Sequence, residues 1–161
     1  MDDEAKRRRA IELWETAQLH QQAGDFDLAI RIYTTSIEEF PTAEAFTFRG
    51  WAKSFTGRID EAIEDCRRAI EVDPTFGNPY NDIGCYLLQK GDLEQAIPWL
   101  EKAKRSIRYE PRHFPFMNLG RIYAARGLLS QAIREFEGAL AICPDEPFCI
   151  AAVSTLRAKL N

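Results

Sequence analysis

Four glycines set the frame of this chain: Gly24, Gly57, Gly91 and Gly127 lie 33, 34 and 36 residues apart. Each is followed by the same succession of residue types. Five positions on stands an alanine: Ala29, Ala62, Ala96 and Ala132. Four further on comes a bulky or apolar residue, in Tyr33, Cys66, Leu100 and Phe136. Three beyond that comes a small one, in Ser36, Ala69, Ala103 and Ala139, and then Pro41, Pro74, Pro111 or Pro144 closes the unit. Self-similarity near 34 residues is the mark of a stacked array in which each unit buries its apolar face against the next. Small residues at fixed offsets let paired helices approach closely, and the large ones fill the space beside them. Glycine supplies the turn between the helices, and proline stops the second helix.

These residues resemble the tetratricopeptide repeat (TPR) family. With the four glycines at motif position 15, the repeats run over residues 10–42, 43–76, 77–112 and 113–146. The large residue at position 4 is Leu13, Phe46, Tyr80 or Phe116, and the small one at position 8 is Ala17, Gly50, Gly84 or Gly120. The resemblance implies an all-α fold, a right-handed α-solenoid of four helix pairs in one domain over residues 1–161. Residues 147–160 add a capping helix, with Cys149, Val153, Leu156 and Leu160 on one face to cover the open end.

Three local features modify the pattern. Positions 7 and 11 carry Thr16 and His20 in the first repeat and Arg49 and Lys53 in the second, so these two repeats are expected to pack less tightly. Asp92 and Gln95 have the spacing of a capping box. The third repeat holds three extra residues within Lys104–Glu110, a stretch without Gly or Pro that reads as one more turn of helix. On such a helix Lys104, Arg105, Arg108 and Arg112 would form a basic row: a solvated face or a second contact for an acidic partner.

The remaining chemistry is sparse. The chain carries no phosphate-binding loop, nucleophile elbow or zinc-protease motif, and no C-x-x-C pair among Cys66, Cys85, Cys143 and Cys149. No enzyme activity, cofactor or metal is expected. The thiols read as those of a reduced, cytoplasmic protein. The net charge of −4 disfavours nucleic acid, and no apolar run approaches the roughly 20 residues of a membrane span.

In TPR domains the first helices of the pairs line a concave groove. By the resemblance, that groove takes Trp14 and Gln18 from repeat one, and Phe48, Trp51 and Phe55 from repeat two. Asn78, Asn81, Asp82 and Cys85 come from repeat three, and Met117, Asn118 and Arg121 from repeat four. Aromatic anchors around central amides suit a peptide backbone and its apolar side chains. Phe55 and Phe114 are expected to pack between repeats, and Phe148 to join the far end of the groove. The cations of the heat-shock carboxylate clamp are absent in either register. The expected function is an adaptor or scaffold that holds a peptide or helical segment of another protein. A chaperone for a secreted or assembling protein and a self-associating subunit are the alternatives.

Overall fold

The computed structural model describes residues 1–161 as nine α-helices. They are α1 (Asp3–Gln22), α2 (Phe26–Glu39), α3 (Ala43–Phe55), α4 (Ile59–Val72), α5 (Asn78–Gln89), α6 (Leu93–Lys104), α7 (Phe114–Ala125), α8 (Leu129–Ile142) and α9 (Pro147–Leu160). Consecutive helices pack as pairs, and α1, α3, α5 and α7 also touch one another in succession, which makes them one layer of a solenoid. None is long and apolar enough to cross a membrane.

The glycine turns explain the pairing. Gly24, Gly57, Gly91 and Gly127 have φ between +74° and +87°, the left-handed region where a side chain is strained. The residue after each glycine donates its N–H five residues back, as in Asp25 N to His20 O at 2.9 Å and Asp92 N to Leu87 O at 2.9 Å. That bond satisfies a carbonyl at the end of one helix while reversing the chain into the next. Because the turn leaves Asp92 at φ −84°, ψ 61°, away from the extended conformation of a capping residue, its side chain caps nothing. The expected Asp92–Gln95 capping box therefore does not form.

Close approach of the helices rests on the small residues. Ala29, Ala62, Ala96 and Ala132 are fully buried. A Cβ on Gly84 would sit 2.4 Å from Leu100 Cδ2, and one on Gly120 2.6 Å from Phe136 Cε1, so these side chains occupy the space the glycines leave. The largest apolar cluster joins Cys66, Ile83, Tyr86, Leu100, Leu119 and Ile122 across repeats two to four. A second one joins Met117, Phe136, Cys149, Val153 and Leu156. The first repeat offers a smaller cluster around Tyr33, whose hydroxyl donates to Gln21 Oε1 at 2.7 Å.

In the second repeat, charge replaces apolar packing. Arg49 donates from Nε and Nη2 to the two oxygens of Asp65 at 2.9 and 2.7 Å, and Lys53 Nζ lies 3.0 Å from Asp65 Oδ2. Asp65 and Lys53 are both buried. The unusual residues at positions 7 and 11 thus share one carboxylate on α4 and tie α3 to it.

Two expectations need correction. In α9, Cys149, Val153 and Leu156 are buried against α8, but Leu160 is 52% exposed, because the last turn projects past the layer it covers. The insertion in repeat three does not lengthen α6, which ends at Lys104. Residues 105–113 form a loop that folds back on the solenoid. Arg108 N donates to Thr75 O at 3.0 Å and Gly77 N to Arg108 O at 2.9 Å, a parallel bridge between Phe76 and Arg108. Tyr109 is buried against Gly77, where a Cβ would meet its ring at 2.1 Å. The Arg112 guanidinium donates to the carbonyls of Ser106 and Ile107, both at 2.9 Å, and the Glu110–Pro111 bond is cis.

The basic row is dismantled with the helix. Lys104 Nζ lies 2.7 Å from Glu135 Oε2, and Arg108 bridges Glu44 at 2.9 Å and Asp73 at 2.7 Å. Arg112 serves the loop, which leaves Arg105 as an exposed member of the four. Three of the four cations are engaged by separate partners, and the four share no helical face.

Candidate protein-binding groove

A cavity of about 370 Å³ opens on the layer formed by α3, α5 and α7. Its walls bring together Phe48 and Trp51 from α3, Asn78, Asn81, Asp82 and Cys85 from α5, and Met117, Asn118 and Arg121 from α7. Successive turns of three adjacent helices present these side chains to one concavity, the 3.6-residue period aligning them across the layer. Tyr109 and Pro111 of the inserted loop and Phe114 at the start of α7 complete the lining.

Trp14, Gln18 and Phe55 do not line this cavity. Trp14 packs beneath Phe48, with ring centroids 5.6 Å apart, and its buried indole N–H has no acceptor. Gln18 is half-buried one turn further along α1. Phe55 stacks on Phe26 at 4.9 Å and meets Trp51 edge-on at 5.6 Å, yet keeps 56% of its surface exposed, so it packs only in part. Phe114, expected to pack in the same way, is instead 41% exposed at the cavity wall. Phe148 stays outside the lining: it packs edge-on against Phe136 and carries the Arg121 guanidinium over its ring at 4.6 Å.

The polar floor is a short network. Asn118 Nδ2 donates to Asn81 Oδ1 at 3.0 Å and to Cys85 Sγ at 3.1 Å, while Arg121 Nη1 donates to Asn118 Oδ1 at 3.3 Å. Both amides are buried, so their orientation is held by each other and by Arg121. Asp82, beside them, enters no ion pair: Arg121 is engaged by Asn118 and Phe148, and no other cation lines the cavity. Burial pushes the Asp82 carboxyl up to about 7, against a hydrogen bond from Asn81 that lowers it. Burial and the neighbouring Asp82 push the Cys85 thiol up to about 11, so it stays protonated and poorly nucleophilic at neutral pH.

The contribution of Tyr109 and Pro111 was hidden from sequence reasoning by the helical reading of the insertion. Two signals bear on it. Pro111 disfavours a helical conformation for Glu110, and Gly77 offers the bare backbone against which an aromatic ring can lie.

Models of the tetratricopeptide repeat match residues 13–43, 43–76, 66–97 and 116–149. The inserted loop lies in the interval they leave. Among curated proteins, the small glutamine-rich tetratricopeptide repeat-containing protein 2 of Mycosarcoma maydis is 35% identical over 90 residues, 55% of this chain and 25% of that protein. The SGT1 homolog of Oryza sativa subsp. japonica is 36% identical over 78 residues, 48% of this chain and 21% of that protein. The chain therefore spans only about a quarter of the length of these relatives. Among solved structures, Pseudomonas aeruginosa PilF aligns with a TM-score of 0.88 at 22% identity, over 95% of this chain and 70% of that one. YrrB, described as a TPR protein with an unusual peptide-binding site, aligns with a TM-score of 0.69 at 19% identity, over 93% and 77%. Repeat after repeat, helix pair, glycine turn and buried alanine agree with these matches, and the chain belongs to the tetratricopeptide repeat family, whose members mediate protein–protein interaction.

Proposed function

We propose that this chain is a non-catalytic adaptor that holds an apolar or amphipathic segment of another protein in the groove over α3, α5 and α7. The observation that carries this reading is the contrast within the cavity. Trp51 and Phe114 keep 47% and 41% of their surface exposed around a floor of buried, mutually bonded amides. Isolated exposed aromatics are ordinary, but several converging on one concavity with fixed polar groups form the pattern of an anchor site. The adaptor reading asks for a partner that is itself folded, and the groove has room for a short segment only.

The test uses amphipathic peptides, acetylated and amidated at their ends, selected by display against the intact protein. Trp51→Ala should weaken their binding by about 1–3 kcal/mol. Its unfolding midpoint should stay near that of the wild type, since the ring is 47% exposed and its aromatic neighbour, Phe55, is exposed as well. Phe48→Ala should lower both binding and stability, because Phe48 covers Trp14. Wild-type affinity in Trp51→Ala for every selected peptide would refute the groove.

A further inference from the structure

The cavity presents one carboxyl, that of Asp82, to a space otherwise walled by aromatic rings, Pro111, Met117, Cys85, neutral amides and one cation, Arg121, which is engaged by Asn118 and Phe148. The groups around it are Asn81, Cys85 and Tyr86 on α5, Cys66 on α4, Tyr109 on the loop and, beyond Cys85 and Asn118, Arg121 on α7, which forms no ion pair with it. The ion pairs elsewhere in the chain draw in the neighbouring acids: Asp65 has two cations and Asp73 has Arg108. Asp82 alone among the cavity residues is an acid, and beyond the Asn81 hydrogen bond it has no ion-pair partner within the chain.

We propose that Asp82 receives a basic side chain, lysine or arginine, from the segment bound in the groove, with apolar neighbours of that residue seated on Trp51 and Phe114. The proposal rests on the groove reading above and adds the chemistry of its occupant. A lysine or arginine stem is apolar and its head charged, which matches a cavity with aromatic walls and a carboxyl at the floor. The ammonium or guanidinium would supply the countercharge that burial denies Asp82. Because burial holds that carboxyl partly protonated near neutral pH, arrival of the cation drives its proton into solvent. Arg121 lines the same cavity, bonded to Asn118 beside Asn81 and Cys85, so an acidic neighbour of the basic residue is drawn toward Arg121.

The experiment is a positional scan of heptapeptides, acetylated and amidated so that no terminal amine can substitute for a side chain. One position at a time is varied over all residue types except cysteine, in a background of Leu, Phe, Ala and Ser. The scan is read on intact wild type and on Asp82→Asn, whose helicity and unfolding midpoint are recorded alongside. On the wild type, lysine or arginine should be preferred about tenfold over methionine or leucine at one position, flanked by apolar preferences. On Asp82→Asn that preference should vanish while the apolar preferences persist. Retention of apolar peptides with no basic preference, or a basic preference unchanged in Asp82→Asn, overturns the assignment and leaves the groove reading standing. Failure of the wild type to retain any peptide overturns both.

Discussion

Asp82→Asn should make this protein more stable, and increasingly so as pH rises. Burial raises the folded-state pKa of Asp82 from 3.8 to about 7, so between those values the folded chain holds a proton that the unfolded chain has released. Stability from this group is therefore intact below about pH 4, falls as pH rises, and levels off above about pH 7. A separation of about 3 pKa units corresponds to a ceiling of about 4 kcal/mol at 1.36 kcal/mol per unit. Between about pH 5 and pH 8 the same arithmetic gives about 2.6 kcal/mol, and solvent at the open side of the cavity reduces it to about 1–2 kcal/mol. Asparagine keeps the shape and the hydrogen-bonding reach without the charge. Urea unfolding of both proteins across this range isolates the effect, because all other titrations cancel in the difference between the two curves. The gap between them should widen by about 1–2 kcal/mol from pH 5 to pH 8. Parallel curves, or a variant that loses ground as pH rises, would refute the burial argument.

Three further expectations follow from the packing. Asp65→Ala leaves buried Lys53 and half-buried Arg49 without their shared carboxylate and should cost about 3 kcal/mol in urea unfolding, whereas exchanging all three for apolar residues of similar volume should recover most of that loss. Gly120→Ala drives a methyl group to 2.6 Å from the Phe136 ring and should lower stability by about 1–3 kcal/mol, readable by thermal melting. Deleting residues 147–161 uncovers Phe136 and its neighbours on α8 and should turn the protein toward aggregation, visible by light scattering; a soluble truncation with an unchanged melting temperature would contradict the capping role.

The parts of the fold that were legible in the sequence are those set by local spacing. A glycine that must take positive φ and an alanine that must lie under a facing helix each recur at one offset, so four copies reinforce one reading. The same register named Phe48, Trp51, Asn81, Asp82 and Asn118, which the cavity does bring together. What stayed hidden depends on contacts distant in sequence. Nothing within Lys104–Glu110 reveals that Arg108 pairs with Thr75 and Gly77, or that Asp73 and Glu44 lie in wait for its side chain. Arg49 and Lys53 read as defects until Asp65, on the partner helix, supplies their charge.

The Phe76–Arg108 bridge alters how this array can come apart. In an ideal solenoid each unit feels only its immediate neighbours, so unfolding spreads as a one-dimensional front and the ends fray first. Here the linker leaving repeat three is hydrogen-bonded to the linker entering it, and Arg108 reaches on to Glu44 in the first turn of repeat two. Asp73, held down at about 2 by the Thr75 hydroxyl and the Arg108 guanidinium, keeps its charge through the physiological range. These contacts reinforce the interface between repeats two and three beyond their helix packing, so residues 43–112 should melt more nearly as one cooperative block than as two separate units. The same tie positions Tyr109 and Pro111 at the groove, so the loop wall of the binding site is held by the contacts that join repeats two and three.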